Sequence, residues 1–232
     1  MKPLTNKTIF FLSIFFVLYG AFAMFYGIYR GHPSWIFWFC YIGMILIGIG
    51  GLRKDLTLIT SQFNILLFPL IFWNIDFFIT LFTGSSKLGI AGYFFEEMLP
   101  LARLISFEHL FLIPLALVIL FLLIKDSNKN SNLDSNSNKD SKSKNSLNRI
   151  KYSFIISFIQ ILLTFIVMNL LKASEDNVNC VFENCYNFLN FFLPFASYPI
   201  LWFLFYFSMI LASNLIIYGI IKILVNYNKI HK

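Results

Sequence analysis

Charge is scarce in this chain. Only 12% of its 232 residues are Asp, Glu, Lys or Arg, about half the share expected of a soluble domain. That scarcity excludes a disordered chain and argues against a water-soluble enzyme domain. Cysteine numbers three, too few for a disulfide-built secreted scaffold. Histidine also numbers three. No H-E-x-x-H pair and no phosphate-cradling glycine loop occurs.

Apolar side chains fill the remainder. They make up 58% of the chain, with 30 Phe and a mean hydropathy of +0.74. These values describe a protein dissolved in lipid. Residues 8–29 form an apolar run of about 33 Å as a helix, which matches a hydrocarbon core of about 30 Å. Further runs lie at 35–51, 57–83, 106–124, 150–171 and within 198–225. The expected fold is an all-α membrane protein, a bundle of six transmembrane helices.

Basic residues set the orientation. With both termini cytoplasmic, only Arg30, Lys87, Arg103 and Lys172 of the 18 Lys and Arg fall outside. The acids run the other way, with Asp76, Glu96, Glu97, Glu108, Glu175, Asp176 and Glu183 outside. This asymmetry supports a multi-pass protein of the cell membrane, N-terminus and C-terminus inside. The net charge of +7 is therefore a topology signal, and no nucleic-acid partner is expected. Ala21-Phe22-Ala23 resembles a signal-peptide cleavage site, but the apolar run continues to Tyr29, which favours an uncleaved span.

Residues 126–149 divide the chain. The tract DSNKNSNLDSNSNKDSKSKNSLN holds almost nothing apolar and is expected to be a disordered cytoplasmic linker. It separates a four-span half, 1–125, from a two-span half, 150–232. Two further segments, 84–105 and 172–197, are too apolar for free loops. Their aromatics and isolated charges suit the membrane interface, where both are expected as outer interfacial segments, short helices or re-entrant turns.

Ionisable residues within a bilayer are functional candidates by default. Asp76 lies about 28.5 Å beyond Thr57 along its span, near the outer boundary. Glu108 and His109 open the next span from the same side, and Arg103 lies just before them. These four are expected to meet in one outward-facing polar pocket. Asp76 beside His109 would fix the histidine tautomer and suit acid/base work. Arg103 would bind an anion or headgroup. The competing reading is a helix-end network that pins two spans together. A metal is not expected, because neighbours on a helix point about 100° apart and only one His is near. No cofactor is indicated.

Two protease patterns are absent. Glu96-Glu97 and Arg103 are separated by five residues with Pro100 between them, unlike the Glu-Glu-x-x-x-Arg of CAAX-type intramembrane proteases. The Gly-x-Ser-Gly of rhomboid proteases does not occur. Cys180 and Cys185 lie in an outer segment, where a disulfide can form, and Cys40 is expected to be a packing residue. Trp35, Trp38, Trp73 and Trp202 fall near outer span ends, as an aromatic belt would. Gly48 and Gly51 share a face suited to close helix approach.

Residues 68–182 carry a recurring pattern: Phe68-Pro69, Trp73-Asn74-Ile75-Asp76-Phe77, Leu81-Phe82-Thr83-Gly84, Leu88-Gly89, Ser106 through His109, Pro114, and Asn177 through Phe182. This stretch resembles an uncharacterised family of prokaryotic six-span integral membrane proteins, in which Trp usually stands at the place of Cys180. The resemblance implies that Asp76, His109 and Asn179 form one outward-facing constellation, and it implies no activity. The leading expectation is a polytopic membrane protein with a polar site for a lipid or small molecule. The alternatives are a transporter or channel, and a structural subunit of a membrane complex.

Overall fold

The computed structural model describes residues 2–130, 139–194 and 197–230. Those residues form seven α-helices and no strand: α1 (Lys2–Tyr29), α2 (Phe39–Arg53), α3 (Leu56–Thr83), α4 (Pro100–Ser106), α5 (Glu108–Asn130), α6 (Lys139–Leu171) and α7 (Tyr198–Ile230). Five stretches are long and apolar enough to cross a membrane: Thr5–Tyr29, Leu56–Thr83, Pro100–Asp126, Asn148–Leu171 and Tyr198–Ile223.

The run at 35–51 departs from a full-length span. Pro33 opens a 3-10 turn, Pro33–Phe37, and Trp38 is extended (φ −57°, ψ 127°). A proline is favoured at a first helical position, so this run starts with a tight turn rather than an α-helix. What remains is α2, 15 residues long, or about 22 Å. Its far end reverses in two residues. Lys54 adopts the left-handed region, and the Asp55 carboxylate caps α3 by accepting from Thr57 N at 2.9 Å and Leu58 N at 3.1 Å. Such a cap satisfies amide donors that a helix start leaves free.

Lys54 also donates to Asn6 and Asp126, each at 3.0 Å, so the start of α1, the end of α2 and the end of α5 share a lysine-rich end. The opposite end holds the Cys180–Cys185 disulfide. The segment at 84–105 is shorter than expected. Pro100 starts α4, which runs through Phe107 into α5 as one apolar rod. Residues 172–197 form 3-10 turns, at Ser174–Asp176, Val178–Cys180 and Asn187–Phe191, among the described residues. The linker expected at 126–149 falls partly outside the described residues; α5 ends at Asn130 and α6 begins at Lys139.

Helices of both halves share one apolar core. Phe16, Met44, Ile47, Phe63, Leu112, Met168 and Trp202 are all within it. Phe11, Phe25, Leu163 and Leu215 remain exposed, as a lipid-facing surface requires. Between helices in lipid, close van der Waals contact replaces the hydrophobic drive. Gly48 supplies it: a Cβ there would stand 2.5 Å from the Ser13 carbonyl oxygen, so α1 and α2 meet backbone to backbone. A polar seam joins α3 to α6. Gln62 Nε2 donates to Gln160 Oε1 at 2.9 Å, and Asn64 Nδ2 to Ser157 Oγ at 3.2 Å. Ser157 Oγ itself donates to the Ser61 carbonyl at 2.8 Å.

Candidate functional site

Asp76 sits one turn beyond Trp73 on α3 and is fully buried. The chain turns back on it at once. Gly84 ends α3 with φ +71° and Gly89 turns again with φ +83°, conformations glycine adopts freely. The loop they shape, residues 85–91, wraps the carboxylate. Oδ1 accepts from Lys87 N and Leu88 N, both at 2.8 Å. Oδ2 accepts from Ser86 Oγ at 2.6 Å, Ile90 N at 3.0 Å and Ala91 N at 2.8 Å. Five donors fill its acceptor capacity.

The pocket expected of Asp76, Glu108, His109 and Arg103 therefore does not form as a unit. Among the described residues no hydrogen bond or ion pair joins Asp76 to His109, Arg103 or Asn179. The backbone amides of the loop that follows α3 reach the carboxylate first. Its geometry is that of a positioning group.

His109 lies instead against Trp73. The rings stack with centres 4.5 Å apart and planes 25° apart. Trp73 is held in turn by its indole N–H, which donates to Tyr93 Oη at 3.2 Å. His109 Nδ1 is 2.9 Å from the Ser106 carbonyl oxygen. A carbonyl only accepts, so Nδ1 carries the proton and Nε2 keeps the lone pair.

Glu108 is fully buried, and no nitrogen or oxygen donor bonds to either carboxylate oxygen; the Cys40 thiol is the hydrogen-bonding group beside it. Its Oε1 is 3.8 Å from His109 Nδ1. Across from both stands Cys40, near the start of α2. One donor atom from each of Cys40, Glu108 and His109 lies within 4.8 Å of the others. The divergence expected of neighbours on a helix does not separate Glu108 from His109. Cys40, read as packing from its position in an apolar run, is buried and also belongs to this group.

Arg103 donates to the Glu96 carbonyl at 3.1 Å and lies over Phe94 at 5.9 Å, while its Nε is buried without a partner. Asn179 serves another place. Its side chain donates to the Phe37 carbonyl at 2.7 Å and accepts from Phe39 N at 3.0 Å. Its own carbonyl accepts from Trp202 Nε1 at 3.0 Å and Tyr206 Oη at 3.2 Å. Asn179 thus ties the 172–197 segment to the entry of α2 and to α7. It does not touch His109 or Asp76, but it anchors the backbone one residue before Cys40.

Two of the expected belt tryptophans, Trp73 and Trp202, are buried, because each indole N–H has an internal acceptor. The sequence reading also passed over His32 and Asp176. His32 Nδ1 lies 2.7 Å from Asp176 Oδ1, and Ser34 Oγ donates to Oδ2 of the same carboxylate. Beside the disulfide, where Tyr186 packs with Cys180, burial pushes its phenol up to about 12, which keeps it neutral. The polar seam went unread too, although Ser153, Ser157 and Thr164 recur at helical spacing in an apolar run.

Open space lies elsewhere. A cleft of about 430 Å³ opens at the lysine-rich end, lined by Arg53, Lys54, Asp55, Thr57, Asp126 and Arg149. No family model matches the chain, and no curated protein or solved structure does so.

Proposed function

We propose that this chain is an integral membrane protein crossing the cell membrane six times, with α2 as the short sixth span and both termini cytoplasmic. On this reading the disulfide end faces outward. In the outward half Glu108 and His109 form a polar site for a lipid or small molecule, with Arg103 as the anion partner and Asp76 shaping the loop beside it. The likeness of residues 68–182 to the prokaryotic six-span proteins agrees with that arrangement.

One observation carries the reading. Glu108 is completely enclosed, yet no nitrogen or oxygen donor bonds to its carboxylate, which has only the Cys40 thiol beside it. A bare carboxylate in an apolar interior costs several kcal/mol or takes up a proton, and the neutral acid still leaves buried polar atoms without strong partners. A group that serves only to pin helices is expected to have its partners built in, as Asp76 has. The unpartnered Nε of Arg103 points the same way.

The test is native mass spectrometry of protein extracted in mild detergent. A phospholipid or small acid retained by the wild type and lost from Arg103→Ala and Glu108→Gln supports the proposal. Equal retention by all three removes it. Tag accessibility at the two termini in intact cells tests the orientation, and labelling from outside overturns it.

A further inference from the structure

The three groups around Glu108 suit one more ligand. Thiol, carboxylate and imidazole are the donor types of zinc-class divalent ions. Here they come from two helices, Cys40 from α2 and Glu108 with His109 from α5. Their donor atoms lie within 4.8 Å of one another. Bonds of 2.0–2.3 Å to a tetrahedral ion put neighbouring donors about 3.5 Å apart, a closure that side-chain torsions supply. All three are enclosed: Cys40 is 7% exposed and Glu108 fully buried, and the His109 side chain is 17% exposed.

We infer that Cys40, Glu108 and His109 bind a zinc-class divalent metal ion. The inference deepens the proposed site and rests on the same reading of Glu108 and His109. Three features of the surroundings support it. The carboxylate of Glu108 is nine-tenths buried or more, and no nitrogen or oxygen donor bonds to it. A thiolate and a carboxylate neutralise a divalent ion, so occupancy would remove the cost of the enclosed charge. His109 Nδ1 lies 3.8 Å from Glu108 Oε1 and 2.9 Å from the Ser106 carbonyl oxygen, so binding through Nδ1 moves the ring proton to Nε2 and exchanges the Ser106 hydrogen bond for the metal. Trp73 stacked on the ring holds its plane. Three protein donors leave one position open for an oxygen of the bound molecule.

Cobalt(II) is the probe. The full chain, in detergent and with any affinity tag removed, is stripped with a chelator and titrated with Co²⁺. We expect one equivalent bound per chain, a thiolate-to-cobalt charge-transfer absorption, and its loss when Zn²⁺ is added. The other two cysteines form a disulfide, so the band in unreduced wild type already reports Cys40. Cys40→Ser should abolish the band. Glu108→Gln and His109→Ala should weaken binding by about 100-fold, the upper range for loss of even an outer-shell partner.

A folded, monodisperse wild type that binds no Co²⁺, or binds it without the thiolate band, overturns the inference. So does a band that survives Cys40→Ser, or binding that disappears with His32→Ala instead. Lipid retention is measured separately. If lipid is captured and cobalt is not, the metal inference falls and the proposed site stands. If neither is bound, both fall.

Discussion

The imidazole of His109 lies flat against the indole of Trp73, with ring centres 4.5 Å apart. The pair joins α3 to the start of α5. Asn74, the next residue on α3, donates to the His109 carbonyl at 2.8 Å. Together these contacts fix the position of Glu108 relative to α3.

Replacing His109 by Ala should cost about 1–3 kcal/mol of stability, from the lost stack and the freed Ser106 carbonyl. Trp73→Phe, which keeps an aromatic face but loses core volume and the bond to Tyr93 Oη, should also lower the unfolding midpoint. Thermal unfolding in detergent compares them. An unchanged midpoint in His109→Ala would contradict the packing described.

Asp76→Asn should be more severe. The new amide would turn N–H groups toward backbone N–H donors that now meet a carboxylate. We expect a loss of about 3 kcal/mol or more. Deuterium exchange should rise at residues 87, 88, 90 and 91 before the rest of the bundle. Exchange that rises uniformly, or not at all, would argue against the wrapped loop.

At Asn179 two substitutions separate two effects. Its backbone is left-handed, with φ 53°. Asn179→Gly removes the side-chain clamp on Phe37 and Phe39 and should cost about 2 kcal/mol. Asn179→Ala should cost about 1 kcal/mol more, since a Cβ disfavours that conformation. Trp202 emission in each variant reads whether the indole keeps its acceptor.

Gly48→Ala should part α1 from α2 at a cost of about 1–3 kcal/mol, because the obstacle is the Ser13 carbonyl. Gly219→Ala, where a Cβ would meet nothing within 4 Å, should leave the unfolding midpoint unchanged or raised. The pair distinguishes close packing from a general intolerance of helix glycines.

Thiol counting checks the cysteines. Native protein without added metal should take up no alkylating reagent, since Cys40 is buried. Denatured protein should take up one equivalent and reduced protein three. A second thiol titrating before reduction would contradict the Cys180–Cys185 bond.

Much of the architecture was legible because lipid imposes length. Residues 8–29, 57–83, 150–171 and 198–225 each reappear within a long apolar helix, since only a satisfied backbone of that length tolerates hydrocarbon. The shortening at 35–51 was harder to read. It depends on Pro33 and on the extended backbone of Trp38, which hydropathy does not register. The role of Asp76 was hidden for a different reason. Its donors are mainly main-chain amides, and these carry no letter in a sequence. Cys40 packs in the core as expected, but its closeness to Glu108 and His109 was hidden because they lie 68 and 69 positions away, on a helix that only tertiary packing brings alongside.

The short helix α2 has one more consequence. No residue of α2 before Leu52 is exposed, so neighbouring helices sheathe it and acyl chains scarcely reach it. On the proposed six-span reading, a crossing helix of about 22 Å in a core of about 30 Å would ordinarily thin or pucker the surrounding bilayer. Here the mismatch falls on protein, and bilayer thickness should register instead on the full-length α1 and α3 that enclose it.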